Sequence, residues 1–401
     1  MAIKENHQLK SNYDIVIIGG GIIGSSIAYF LASNEDFKGS ILVIEKSPNY
    51  FESSTGLSVG GIRQQFSVPE NIEISKFGIQ FIRNIEKYLS VDGEFTDVSF
   101  VENGYLFLAS QAGYKILKEN YLLQRKHDVN VALFSPEELK SRFPWLTVDD
   151  LSSGCYGLSD EGWLDPNSLL RGFISKARSL GVNYIKDEVS SLVHDSKMIS
   201  GVSTVNKQRI GSGLVINATG PHASKIAAMA GIWDFPVRSR KRQVYLFRCQ
   251  ESIPDCPLVI DPTGVYFRPE GKNFICGVSP PPDKDPDCED LDTDNSWFEE
   301  IIWPVLARRV EKFDAIRREH TWAGHYEYNI LDQNAILGSH PEISNLIFAN
   351  GFSGHGLQQA PAVGRAISEL IIYGRYTTLD LSRFAYDRFS KGQLIKEMNI
   401  V

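Results

Sequence analysis

The chain has 401 residues, 42% of them hydrophobic and 22% charged, which excludes a disordered protein and leaves room for two or three domains and an enclosed pocket. Its formal net charge of −8 argues against nucleic acid as a partner, because phosphate binding needs a basic surface. Five cysteines, Cys155, Cys249, Cys256, Cys276 and Cys288, stand at irregular spacings without C-x-x-C or a histidine at zinc spacing; they read as reduced thiols, and no metal site is expected.

Residues 1–12 are polar and lack an apolar core, so no secretory signal is expected there. The apolar stretch 15–32 carries four glycines and two serines and reads as a strand and a helix, not a membrane span. Residues 14–18 are a β-branched run expected to form a buried parallel strand. Gly19, Gly21 and Gly24 follow in G-x-G-x-x-G spacing, and a helix is expected over about 22–33. Gly19 permits the tight turn, Gly21 lets backbone approach a pyrophosphate, and Gly24 lets helix pack on strand. The helix N-terminus aims its amides at phosphate. A second strand, 40–44, ends in Glu45, whose carboxylate suits a ribose diol and repels a 2′-phosphate. Strand, turn, helix and acid together indicate a bound dinucleotide other than NADP.

The turn does not separate NAD from FAD. The small-residue loop 53–61 does, because its hydroxyls and amides suit a second stretch of phosphate and ribityl; the alternative is a plain surface loop. Residues 188–205 alternate as a β-meander broken at 195–197. A buried strand from 213 then runs into Ala218, Thr219 and Gly220, where small residues permit close packing on a cofactor. No second G-x-G-x-x-G opens a helix, so no nicotinamide domain is expected and electrons leave to a separate acceptor. Near the C-terminus, strand 346–350, turn 351–356 and helix 358–373 form another strand–turn–helix, with Pro361 placed in the helix's first turn. Its positive end suits the charge of a reduced flavin, so residues 353–356 are expected to border the isoalloxazine ring. His355 in that turn reads as a contact or positioning residue before it reads as a base.

These residues, with the runs 162–166 (GWLDP), 217–221 (NATGP) and 351–361 (GFSGHGLQQAP), resemble the D-amino-acid oxidase superfamily of flavoenzymes, which includes sarcosine and glycine oxidases. The resemblance covers nearly the whole chain. Residues 322–329, 332–334 and 351–361 are specifically similar to a mitochondrial member associated with assembly of respiratory complex I. It implies an α/β fold: a Rossmann-type FAD-binding domain, parallel sheet plus β-meander, from 1–90, 155–233 and 323–401. A mostly antiparallel α+β substrate domain would take 91–154 and 234–322. The alternating runs 239–248 and 259–278, with a hairpin turn at 270–273, agree with it. So do Asp165 and Pro166 as N-cap and N1 of a helix stopped at Gly181.

FAD, one per chain, is expected to touch Gly19, Gly21, Ile22, Ile23, Gly24, Glu45 and Lys46 at its nucleotide end. Further contacts are expected from Ser53, Ser54, Thr55, Ser58, Gly61, Val189, Ala218, Thr219 and Gly220. Gly351, Ser353, Gly354, His355, Gly356 and Leu357 complete the set. The cysteine that carries covalent flavin in single-chain sarcosine oxidases is matched by His325, and a histidine used by other relatives is matched by Ser58. Noncovalent FAD is expected, with an N-linked flavin at His325 as the alternative. The arginine and lysine that clamp a substrate carboxylate are matched by Phe66 and Gln358, so that clamp is absent or rebuilt from Arg63, Arg242 or Arg268. For Arg242 a surface ion pair is the favoured reading. The oxygen-activating lysine falls near 274–276, which has no cation, favouring a dehydrogenase over an oxidase.

The resulting expectation is oxidation of a small amine or amino-acid-like substrate by hydride transfer to flavin N5, with Arg63, Tyr266, Arg268, Tyr326, His355 and Gln358 around the pocket. Electrons would pass to a quinone, an electron-transfer protein or oxygen. One alternative is a flavin-bound assembly factor contacting a respiratory complex with little turnover. Another is a hydroxy-acid or polyol dehydrogenase. A bacterial chain would be cytoplasmic and a eukaryotic one would face the mitochondrial matrix.

Overall fold

Residues 15–18 are apolar throughout because each face of their strand meets its own core. The computed structural model describes residues 9–398 apart from 95 and 196. Residues 1–8, where no signal is expected, and the serine of the expected meander break lie outside them. Strand Asn12–Ile18 sends Ile15 and Ile17 into one core and Val16 and Ile18 into another. Helices Ile22–Ser33 and Gly356–Tyr373 cover the first face, while the meander Val189–His194 and Ile199–Thr204, with Phe235 and Phe348, covers the second. Side chains alternate along a strand, so a central parallel strand needs apolar residues of both parities.

That strand lies inside an eight-stranded sheet. Leu346–Asn350, Arg209–Asn217, Asn12–Ile18, Ile41–Glu45 and Asn183–Lys186 run parallel in that order, the meander joins Arg209–Asn217, and Ile336–Ser339 closes one edge antiparallel. A second eight-stranded sheet runs from Ile316–Asn329 through Val237–Cys249, Asn273–Gly277, Tyr266–Glu270, Leu258–Ile260, Tyr105–Ala109 and Ser153–Gly157 to Val131–Phe134. Every pair in it is antiparallel except Leu258–Ile260 with Tyr105–Ala109. This is the Rossmann-type sheet with a β-meander, beside a mostly antiparallel α+β unit. Among the described residues no helix is long and apolar enough to cross a membrane.

Three sequence expectations shift. The divisions at 155 and 323 fall inside strands Ser153–Gly157 and Ile316–Asn329, whose ladders continue through both positions in the second sheet, so the chain crosses between sheets after 157 and after 329. The hairpin expected at 270–273 forms, with Glu270 opposite Asn273, and a further turn at Gly264, at φ +87°, makes the run 259–278 three strands. The last long helix begins at Gly356, two residues early, which puts Pro361 inside it and leaves the Leu357 carbonyl without its i+4 amide. Asp165 caps the helix Pro166–Ser179 as expected, accepting from the amides of Asn167 (3.0 Å) and Ser168 (3.3 Å).

Helices Ile22–Ser33 and Gly356–Tyr373 touch where Ser26 Oγ donates to the Ala360 carbonyl at 2.7 Å. A Cβ on Gly364 would stand 2.2 Å from Ser26 Oγ and 2.8 Å from the Ser26 carbonyl carbon. Gly364→Ala should therefore lower stability by about 1–3 kcal/mol through overpacking. Urea unfolding at unchanged m-value measures it; an unmoved midpoint would mean that the crossing has slack.

Candidate active site

The first strand ends in a turn that only glycine fits. Gly19 has φ +98°, and a Cβ there would lie 2.4 Å from the Ala218 carbonyl oxygen. Gly21 begins the helix without a side-chain cap, and no acid stands in the first turn. The Ile22 amide donates to Thr55 Oγ1 at 3.2 Å. Glu45 Oε2 accepts the Gly20 amide and Oε1 the Ser47 amide, both at 2.8 Å. Each carboxylate oxygen has a second lone pair, which a ribose hydroxyl can use.

These groups border a cavity of about 840 Å³ that runs between the two sheets. Of the expected cofactor residues, Gly19, Gly21, Ile22, Ile23, Glu45, Lys46, Ser53, Ser54, Thr55, Ser58, Gly61, Val189, Ala218, Thr219, Gly220, Gly354, His355, Gly356 and Leu357 line it. Ser54 Oγ on that wall is a buried hydroxyl without a partner among the described residues. A helix N-terminus with no N-cap side chain, a small-residue cradle, a carboxylate with lone pairs to spare and a buried hydroxyl without a described partner fit FAD. Three expected contacts are off the wall. A Cβ on Gly24 would sit 2.0 Å from the Gly19 carbonyl, so Gly24 serves helix–strand packing. Gly351 and Ser353 brace the turn from behind: the Gly351 amide donates to Glu327 Oε2 (2.9 Å), and Ser353 Oγ accepts the Asn329 amide (3.0 Å).

The cavity's other end gathers Arg63, Tyr105, Tyr266, Tyr326, His355 and Gln358. The Arg63 amide donates to Gln358 Oε1 at 2.6 Å, and its guanidinium meets His355 Nε2 at 3.1 Å and the Gln65 carbonyl. Phe66 underlies that guanidinium at 4.0 Å and meets the His355 ring edge-on. Arg268 belongs elsewhere. It donates to the Val59 and Pro269 carbonyls and pairs with Glu270 over the Trp163 ring, tying loop 53–61 to the second sheet. Arg242 is a buried pair and not a surface one: it bonds both oxygens of Asp285 at 2.8 Å and lines the cavity beside Tyr326.

The model of the family described as FAD dependent oxidoreductase matches residues 14–370. The chain belongs to that family. FAD-dependent oxidoreductase domain-containing protein 1 of Xenopus laevis is 43% identical, over 97% of this chain and 85% of its own. Sarcosine oxidase subunit beta of Arthrobacter sp is 25% identical, over 98% and 95%. The crystal structure of L-proline dehydrogenase from P.horikoshii superposes with a TM-score of 0.84 at 29% identity, over 96% of this chain and all of that one. The chain is thus an FAD-binding flavoprotein of the D-amino-acid oxidase and sarcosine oxidase type.

In this family member the end opposite the nucleotide is a low-charge chamber. Burial, with the Arg63 charge added, holds His355 well below the usual histidine range, so its ring is neutral and Nε2 accepts from Arg63. Burial raises Tyr105, Tyr266 and Tyr326, which keep their protons. It also raises Glu161 to about 7, against the amides of Gln64 and Gln65, and Glu327 to about 8, against the Gly351 amide. Tyr105, His222, Lys225, Glu289, Leu291 and Glu327 line the cavity too, and no motif announces them. His222 Nε2 meets Lys46 Nζ at 2.8 Å, and burial with that cation lowers it to about 4.

Glu327 supplies a test. Its folded pKa lies above its unfolded one, so its contribution to stability is full below about 4.5 and is lost as pH rises through about 8. Glu327→Gln keeps the acceptor without the titration. The stability of wild type minus that of the variant should fall between pH 5 and 8, by up to about 3 kcal/mol. Denaturant midpoints of the flavin-loaded proteins measure it; a pH-independent difference would place the proton elsewhere.

Proposed function

We propose that this flavoprotein dehydrogenates a small amine, an N-alkyl or cyclic amino acid being the substrate class that fits best, and that it holds FAD without a covalent bond. One observation carries the reading: around Arg63 the chamber holds a neutral histidine and protonated tyrosines, groups that orient a substrate but do not take its proton at neutral pH. Amine oxidation needs little else from a protein, because a substrate that arrives with a neutral nitrogen requires orientation and a dry wall. FAD, when bound, supplies the two-electron acceptor. Gln358 and His355 fix Arg63 from two sides, and Arg63 with Tyr266 and Tyr326 would orient the polar end of the substrate. The names of relatives support the amine class: sarcosine dehydrogenase of Mus musculus and 4-methylaminobutanoate oxidase of Paenarthrobacter nicotinovorans match over most of this chain.

An acceptor other than oxygen, a quinone or an electron-transfer protein, is supported by the wall's two lysines. Lys46 is engaged by His222 and Lys225 by Glu289. Noncovalent flavin is supported by the absence of any cysteine from the described cavity wall and by the contact of His325 Nε2 with the Asp290 carbonyl. A second reading, a flavin-bound factor for assembly of respiratory complex I with little turnover, is favoured by one comparison. Identity to FAD-dependent oxidoreductase domain-containing protein 1 is 40–43%, against 24–25% for the amine-oxidising relatives.

Anaerobic mixing with sarcosine, proline and other N-alkyl amino acids should bleach the visible flavin band. His355→Gln should keep the bleaching rate within about tenfold, with a pH profile that follows the substrate amine. Arg63→Lys, which cannot hold His355 and the Gln65 carbonyl together, should lose about 10–100-fold. Absence of bleaching by every amine, in protein that carries its flavin, overturns the amine reading and leaves the assembly reading standing.

A further inference from the structure

Residues 281–296, of which Glu289 and Leu291 line the FAD cavity, have one short turn, Pro282–Lys284, as their only regular structure. Between 283 and 294 they carry seven carboxylates and one lysine. None of these residues is buried; Asp285, Cys288 and Leu291 are partly covered and the rest are exposed. A segment without a buried side chain is not held by apolar packing.

Charge holds it instead. Strand Val237–Cys249 presents a row of cations to it: Arg238 and Arg240 pair with Asp287 (3.7 and 3.2 Å), Lys241 with Asp290 (2.6 Å) and Arg242 with Asp285. From the other side of the mouth Lys225, on the helix Ala223–Met229 that packs against the first sheet's meander, reaches Glu289 at 2.6 Å. Glu289 and Leu291 form part of the wall of the FAD cavity. Beneath the segment lies a second cavity of about 490 Å³, between it and Lys241, Gln243 and Tyr245 of the same strand. The segment therefore stands off the sheet, fastened at its ion pairs and at a few bonds such as the Cys288 amide to the Ser239 carbonyl (2.9 Å). Arg242–Asp285 is sheltered, but every other pair has an exposed carboxylate, and such pairs are individually weak and are screened by salt.

We propose that residues 281–296 are an electrostatically latched strap over the FAD cavity, which opens to admit or release the cofactor and is fastened across the mouth by Lys225–Glu289. The strap spans from the second sheet, which carries it, to a helix of the first unit, so closing it joins the two halves around the cofactor.

The chain carries its own probe. Cys288 is the one partly exposed cysteine, and the other four are buried. N-ethylmaleimide, which is uncharged, should label one thiol in the flavin-loaded protein, and Cys288→Ser should abolish the labelling. Raising salt from about 20 mM to about 0.5 M should speed labelling at least about fivefold and speed FAD release, read as free-flavin fluorescence, in parallel. Lys225→Gln leaves the neighbours of Cys288 in place and should raise both rates at low salt. Ser239→Cys stands beside Cys288; oxidised to a disulfide, it should slow FAD release about tenfold, with reductant restoring it. Labelling and release that ignore both salt and Lys225→Gln overturn the proposal, as does a cross-linked protein that frees FAD as fast as its reduced form. These readouts are independent of turnover, so a failed amine assay leaves them intact.

Discussion

Glu45 takes the Gly20 amide on one oxygen and the Ser47 amide on the other. The end of strand Ile41–Glu45 is thereby tied to the glycine turn that ends the neighbouring strand, and the Gly19 amide closes the same junction on the Ile44 carbonyl at 2.9 Å. Two parallel strands are locked in register where the helix Ile22–Ser33 begins, and its uncapped amides have a fixed aim. The remaining walls are placed against this junction. The Ala218 carbonyl abuts Gly19 so closely that a Cβ on Gly19 has no room, and Thr55 Oγ1 accepts the first helical amide. A Cβ at Gly19 or Gly24 would move the helix end.

The opposite end depends on groups that never reach the cavity. Glu161 accepts from the amides of Gln64 and Gln65 and from the Gln65 side chain. Glu397 accepts from Ser67 and Asn71, and its charge supports that of Arg63. The stretch 63–67 is thus held by one carboxyl from the turn after the second sheet's Ser153–Gly157 and another from the C-terminal tail. The placement of Arg63 follows from contacts nearly 100 and more than 300 residues away in sequence.

That separation explains what could be read from the chain. The Gly19–Gly24 turn, Glu45 and the cap at Asp165 are local: each announces itself within a few residues, and each stands where the sequence puts it. Pro361 misled because proline suits a first helical turn, and only the packing of residues 356 and 357 beside the cavity shows that the helix starts earlier. Arg268 misled for a related reason. Strand parity puts it near Tyr266, but its guanidinium finds the Val59 carbonyl and Glu270 before it finds the cavity. Arg242 reads as a surface cation until Asp285, 43 residues on, is seen to cover it. His222, Lys225 and Glu289 meet only because two sheets face each other, a relation that no window of sequence contains.

The chamber's charge economy follows from the same geometry. Every ionisable group drawn into it must find a counter-charge or give up its own. Arg242 has Asp285, and Arg63 has the field of Glu397. His355 gives up its proton to become an acceptor for Arg63, while Glu327 keeps one although the Gly351 amide favours its carboxylate. A pocket so balanced adds little net field at the reacting centre. Selectivity then rests on shape and on directed hydrogen bonds from protonated tyrosines, and a carboxylate-bearing substrate must compete with Asp285 or Glu397 for its arginine. Competition of that kind admits a substrate with one carboxylate and a neutral nitrogen more readily than one with further negative charge. It is the physical reason to test the proposed amine class with amino acids that enter with their nitrogen deprotonated.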